Sequence, residues 1–284
     1  MPSLKALRKR IATVRSTQKI TKAMKMIAAA RLRRAQEAAE RARPYAGKLT
    51  EMFNAVTAGI ETAEHPLLAR REERRVDLLV VTSDRGLCGG YNANLLRQAE
   101  AFVRERAPAE VAISVVGRKG LEYFRRRRVE VVCQRIGGLV TPAADLARDL
   151  AGELTRRFVD ESTDAVYLLY SRFRSAISQV PTVVPLLPVA PPAGDAVAAE
   201  YIFEPVQQEL LSRLLPRYIE ALVTQALLEA VASEHGARMT AMDNATTNAS
   251  EMMLRLTLSM NRARQAAITS ELMEIISGAE ALKG

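Results

Sequence analysis

The sequence predicts an α+β chain, mostly α: a long antiparallel coiled coil of the N- and C-terminal helices, with an α/β domain inserted between them. Three observations carry this expectation. From Arg217 to Leu282 there is no proline, and Ala232, His235, Met239, Met242, Thr246, Ala249, Met253, Leu256, Met260, Ala263 and Ala267 follow one another in steps of three and four. Such a seam keeps one face of a helix turned toward a partner helix. Leu4, Leu7, Ile11 and Val14 repeat the step at the other end of the chain. Between the two, β-branched runs alternate with helical spacing, the pattern of a mostly parallel sheet with right-handed crossovers. At 1.5 Å per residue the closing helix is roughly 100 Å long. A helix of that length needs a partner over most of its course, because helix propensity alone rarely holds it.

In chain order, Ser3 can cap the first helix by accepting from a free amide of the first turn. The seam continues, less cleanly, through Ile20, Met24 and Ile27, and Ala28, Ala29 and Ala30 permit close approach of another backbone. Pro44 is expected to kink or locally unwind the helix, since proline lacks a donor and crowds the preceding turn; the pattern then resumes through Leu49, Phe53 and Val56, with Gly59 as the stop. The polar face is one-signed: Lys5, Arg8, Lys9, Arg10, Arg15 and further cations to Lys48 are opposed only by Glu37 and Glu40. Like charges at helical spacing lower helix stability, which points to an acidic partner or to plain solvation.

Past a charged linker at residues 70–75, strands are expected at Val76–Thr82, Val111–Val116, Val129–Gln134 and Ala165–Tyr170. A fifth at Thr182–Val189 carries Pro185 and Pro188 and so belongs at an edge. Helices are expected at Asn92–Arg106, Lys119–Arg127 and Pro142–Val159, the last with Thr141 as cap. Pro205 sits at a first turn of the closing helical region. The domain boundaries expected are 1–59, 60–205 and 206–284.

Composition narrows the function. Lys and Arg number 41 against 32 Asp and Glu, a net charge of +9, which favours an acidic partner such as nucleic acid, anionic lipid or an acidic protein surface. Aromatics at 5% and the absence of Trp favour thin helix–helix packing over one bulky core. No apolar run reaches membrane-spanning length. The two cysteines, Cys88 and Cys133, suit a reducing compartment, although a disulfide between them is compatible with the sequence. The basic start lacks a processing signal, so the mature protein is expected to begin there.

Ser83-Asp84-Arg85-Gly86-Leu87-Cys88-Gly89-Gly90 lies between a strand and a helix, where phosphate-binding loops occur. Its glycine spacing is not GxGxxG and no Lys-Ser/Thr follows, so a tight turn packing strand against helix is the better reading. Cys88 at a helix start could have a depressed pKa. The only histidines, however, are His65, in a loop, and His235, far along the closing helix, which argues against a Cys–His pair. No zinc spacing or paired-carboxylate site stands out. The methionine stripe from Met239 to Met260 reads as packing against a partner helix rather than as an adaptable binding face.

Thr17-Gln18-Lys19-Ile20-Thr21-Lys22-Ala23-Met24, the Ser83–Asn92 run, and Ala232-Ser233-Glu234-His235 through Arg238–Thr246 to Asn261–Thr269 together resemble the signatures of the gamma subunit of F-type ATP synthases, over the whole chain and in order. The resemblance implies an antiparallel coiled coil of the termini plus a Rossmann-like domain. It implies a non-catalytic rotor shaft without cofactors, coupling proton-driven rotation of a ring of c subunits to ATP synthesis at beta subunits. By the same resemblance, the apolar end with Leu272, Ile275, Ile276 and Leu282 is a bearing inside a ring of alpha and beta subunits. Arg264, Gln265 and Thr269 meet beta-subunit loops, and Met24 with Lys25 faces an acidic beta-subunit segment. Many relatives carry an acid where this chain has Lys25. Tyr201 and Glu204 match the region that meets the epsilon subunit and the c ring. No cysteine-bearing insertion of the chloroplast type is present. Compact length and the lack of a leader match the bacterial form, peripheral on the cytoplasmic face of the inner membrane, touching membrane only through its partners and binding no nucleic acid. The competing reading is a basic coiled-coil protein that binds nucleic acid or a membrane surface.

Overall fold

The computed structural model describes residues 3–57, 65–137, 143–190 and 207–281. The expected boundaries at 59/60 and 205/206, the Gly59 stop, the Thr141 cap and Pro205 lie outside the described residues. Among the described residues the α-helices and strands are, in order, α1 (Leu4–Thr57), β1 (Arg75–Val81), α2 (Tyr91–Glu105), β2 (Glu110–Val116), α3 (Arg118–Arg126), β3 (Val131–Arg135), α4 (Ala143–Val159), β4 (Ala165–Phe173), β5 (Gln179–Leu187) and α5 (Gln207–Ala281). They form two compact units, Met1–Ile27 with Met239–Gly284, and Ala28–Arg238.

The first unit pairs the start of α1 with the far part of α5. Three polar contacts set its direction and register. Gln18 Nε2 donates to Ser250 Oγ at 2.6 Å, the Thr21 and Thr246 hydroxyls share a hydrogen bond of 2.8 Å, and Lys25 Nζ meets Asp243 Oδ1 at 2.6 Å. Partner numbers fall as α1 numbers rise, so the helices are antiparallel. The α5 seam is as the spacing predicts, with Met242 and Ala249 buried and Thr246, Met253, Leu256, Met260, Ala263 and Ala267 half-covered.

On α1 the seam differs from expectation. Ile20 and Ile27 are 57% and 54% exposed. Leu7, Ile11, Val14 and Met24 are covered as expected, and Gln18 and Thr21 stand on the seam in place of the two isoleucines. Steps of three and four from Val14 land on Gln18 and Thr21, which are polar, so ranking positions by hydrophobicity put the seam on the neighbouring isoleucines. Ser3 caps α1 as expected, accepting from Ala6 N at 3.3 Å.

In the second unit the sheet order is β3-β2-β1-β4-β5. β1 to β4 are parallel neighbours in the sense expected of crossovers, and β5 is the antiparallel edge strand where its prolines are tolerated. One face packs on α2 and α3 through Val76, Leu78, Val80, Leu95 and Phe124. The other packs Leu79, Val81, Val166 and Leu168 against α4 and against Phe53 of α1 and Ile219 and Val223 of α5. The Phe53 and Tyr218 rings stack at 4.5 Å between centroids, so α1 and α5 meet in this unit too. Asp77, fully buried between the apolar Val76 and Leu78 of β1, accepts from Arg157 Nε of α4 at 2.7 Å.

Neither proline within the long helices interrupts them. α1 is continuous through Pro44, against the unwinding expected there, and α5 runs through Pro216. Both prolines lie on exposed faces, where water can take the backbone carbonyl that each leaves without its helical donor.

A double-mutant cycle on Thr21→Ala and Thr246→Ala, read by urea unfolding, is expected to give a coupling of about 1 kcal/mol. Strict additivity would mean that the shared hydrogen bond does not help hold the register.

Candidate functional site

The Ser83–Gly90 loop is bonded to its own chain. Asn92 Oδ1 accepts from Ser83 N at 3.0 Å and Asn92 Nδ2 donates to Ser83 Oγ at 2.8 Å, while the Ser83 hydroxyl donates to Arg85 O at 2.7 Å. Asp84 accepts from the backbone amides of Arg118 and Gly137. Gly117, at φ +98°, is needed because a Cβ there would lie 2.1 Å from Thr82 O. The tight-turn reading therefore holds, and the turn joins β1, β2 and α2.

α5 locks onto this turn. Arg238 Nη2 donates to the carbonyls of Arg85 and Gly86 at 3.1 and 3.3 Å and pairs with Glu234 Oε1 at 2.6 Å. Arg238 Nη1 lies 3.3 Å from His235 Nδ1. The Tyr91 hydroxyl donates to Ala230 O at 3.2 Å, and Ser233 Oγ donates to Ser171 O at 2.7 Å. Gly236 allows the approach: a Cβ would meet Phe173 Cε2 at 3.2 Å. Two of the sequence signatures thus meet in space, one supplying carbonyls and the other a buried guanidinium. Distance along the chain concealed this, and no periodicity could have found it.

The cysteine reading changes as well. Burial pushes the Cys88 thiol up, with the Ser83 hydrogen bond and the Arg238 charge opposing more weakly, so the depressed pKa expected at a helix start is not found. His235 is lowered to about 4, first by burial and then by the Arg238 and Arg31 charges. Thiol and imidazole are both shifted away from a thiolate–imidazolium pair. Both cysteines are buried and free.

Among the expected partner-facing residues, Met24 is half-buried on the α1 seam and Lys25 is ion-paired to Asp243. Arg264, Gln265 and Thr269 are exposed, and the Thr269 hydroxyl donates to Gln265 O at 2.9 Å. Leu272, Ile275 and Ile276 are 54%, 71% and 49% exposed. Carried along at the register of the three polar contacts, α1 begins opposite the stretch just after Arg264. Among the described residues, the last turns of α5 therefore have no facing helix. Tyr201, Glu204 and Leu282 lie outside the described residues. No described helix is long and apolar enough to cross a membrane.

A coiled coil of chain ends, an inserted Rossmann-like sheet and an exposed helix end define a helical-stalk class of protein. The family model described as ATP synthase matches residues 3–282. An "ATP synthase gamma chain" from Geobacter sp. (strain M21) is 52% identical, with all of both chains covered. A chain in a Tetrahymena thermophila mitochondrial ATP synthase central stalk and c-ring structure is 26% identical, with a TM-score of 0.60 over 80% of this chain and 99% of that one. The fold is also similar to a chain of the Euglena gracilis mitochondrial ATP synthase, with a TM-score of 0.70 and 19% identity over 98% and 94% of the two chains. The chain belongs to the ATP synthase gamma-chain family. That membership sets aside the nucleic-acid and membrane-surface reading of its basic charge.

Two outcomes follow from the α5 lock. Arg238→Ala leaves Glu234, only 7% exposed, as a buried carboxylate without its cation. It is expected to destabilise the chain by about 3 kcal/mol in urea unfolding. Because the folded state holds His235 below its ordinary 6.5, its contribution is complete above that value and is lost as the pH falls toward about 4. Glu234 works in the opposite sense, since burial raises its pKa despite Arg238. Melting curves across this range are expected to flatten in His235→Gln; an unchanged slope would exclude His235 as the source.

Proposed function

We propose that this chain is the central-stalk rotor of an F-type ATP synthase, itself non-catalytic, coupling proton-driven rotation of a c ring to ATP synthesis at beta subunits. The observation that carries the reading is the polar-rung coiled coil ending in an uncovered apolar stretch of α5. Such a stretch is costly in water and suited to an apolar sleeve. In this reading the alpha and beta subunits surround Leu272, Ile275, Ile276 and Leu282 as the bearing. Arg264, Gln265 and Thr269 offer exposed polar groups to beta-subunit loops. Met24 and Lys25 face an acidic beta segment, with the Lys25 charge shared with Asp243. Tyr201 and Glu204 belong to the contact with the epsilon subunit and the c ring. The rotor works on the cytoplasmic face of a bacterial inner membrane, held there through its partners.

An eccentric shaft explains the coupling. Each orientation presents a different face to each of three catalytic subunits, and stabilises a different conformation in each. Rotation and nucleotide affinity are then linked by differential binding free energy.

Reconstitution tests this directly. Mixed with purified alpha and beta subunits, the chain is expected to co-elute on gel filtration and yield an ATPase assembly, while alone it hydrolyses no nucleotide. Failure of the partners to retain it would overturn the proposal. Deleting residues 272–284 is expected to shift the unfolding free energy by no more than ~0.5 kcal/mol, since the described side chains there are exposed. The same deletion should lower assembly or torque; outright unfolding would sink the bearing role.

A further inference from the structure

Within the Ala28–Arg238 unit, burial along α1 stops at Ala35 and resumes at Leu49. Ala28, Leu32 and Ala35 are buried before the gap, and Leu49, Phe53 and Val56 after it. From residue 36 to residue 48 no side chain is buried, although the helix is unbroken there. Under this span a cavity of about 420 Å³ separates α1 from α5. Ala39, Ala42 and Ala46 line it from α1, and Ala221, Thr224 and Leu228 from α5. The alanines are too short to close the gap. Among the described residues, no side chain from Gln36 to Gly47 bonds to another element; the Glu37 carboxylate accepts from Arg33 of the same helix at 3.0 Å.

The backbone is weakened in the same place. Pro44 has no N–H to give to the carbonyl one turn before it. Gly47 lowers helix propensity, and no neighbour requires it, since a Cβ there would meet nothing within 4 Å. Beyond the span the helix is anchored again, with the Phe53 ring stacked on Tyr218 at 4.5 Å.

We propose that residues 36–48 of α1 form a strap that opens on its own while the helix on either side of it stays packed. Helices in proteins are held mainly by their covered face, and this span has no buried position. Opening it breaks helical hydrogen bonds but unpacks no buried side chain, which is the signature of a local rather than a global transition. The open strap lets the Ala28–Ala35 part of α1 turn against the Leu49–Val56 part without unpacking either, and bares the cavity face of α5. The inference stands apart from the rotor reading, because no partner subunit or rotation enters it, and either can fail without the other.

The test is native-state hydrogen exchange of the full chain, read by mass spectrometry at several urea concentrations below the unfolding transition. Amides of residues 36–48 are expected to exchange about 100-fold faster than those of 49–57, at a rate that does not rise with urea, because local opening exposes little new surface. Pro44→Ala/Gly47→Ala restores the missing donor and raises helix propensity, and should slow exchange across 36–48 by about ten-fold. Gly47→Ala alone should slow it by about three- to five-fold, which keeps the test open if the double variant misfolds. Equal protection of 36–48 and 49–57, exchange of the two that rises in parallel with urea, or unchanged exchange in both variants would each overturn the proposal.

Discussion

A helix of 75 residues is stable in water only where another surface covers one of its faces. α5 meets this constraint differently along its course. Its first turns are buried against the sheet, α4 and α1 by Leu211, Leu215, Ile219 and Val223. Its later turns are covered by the start of α1 through a thin seam of alanine, methionine and threonine. Its last turns have no facing helix among the described residues. Each step down in coverage trades burial for availability, and the uncovered part is what a partner protein can hold.

The thin seam explains why polar side chains appear on it. Small residues bring two helices close but leave little apolar area, so register is weakly specified by burial alone. Thr21 with Thr246, Gln18 with Ser250 and Lys25 with Asp243 supply that specification, because a slip of one turn breaks all three. A single polar seam position is known to fix register at some cost in stability. The pattern suits a helix pair that must keep its phase under load.

The lock between Arg238 and the Ser83–Gly90 turn is of another kind. Glu234 and Arg238 are nearly buried, and the guanidinium also holds two backbone carbonyls. Such a group is strongly destabilising if one partner is lost. The turn, with the glycine-rich look of an anion site, has its polar groups engaged by Asn92, Arg118, Gly137 and Arg238.

Helix and strand identities were legible in the sequence because they depend on period, a local property. The seam from Ala232 to Ala267, the five strands and the edge position of the proline-bearing strand could all be read that way. The α1 seam through Gln18 and Thr21 could not, since a polar residue facing a partner helix looks like a solvent-facing one until its acceptor is known. Uninterrupted passage through Pro44 was also hidden, because it depends on which face meets water. Sequence alone determined the elements, their order and the family likeness carried by three signatures. Only the tertiary structure decided which residues pair across α1 and α5, that His235, Arg238 and the Arg85–Gly86 turn converge, and that α1 spans a cavity. Those are contacts between residues tens to hundreds of positions apart, which chain-local periodicity does not encode.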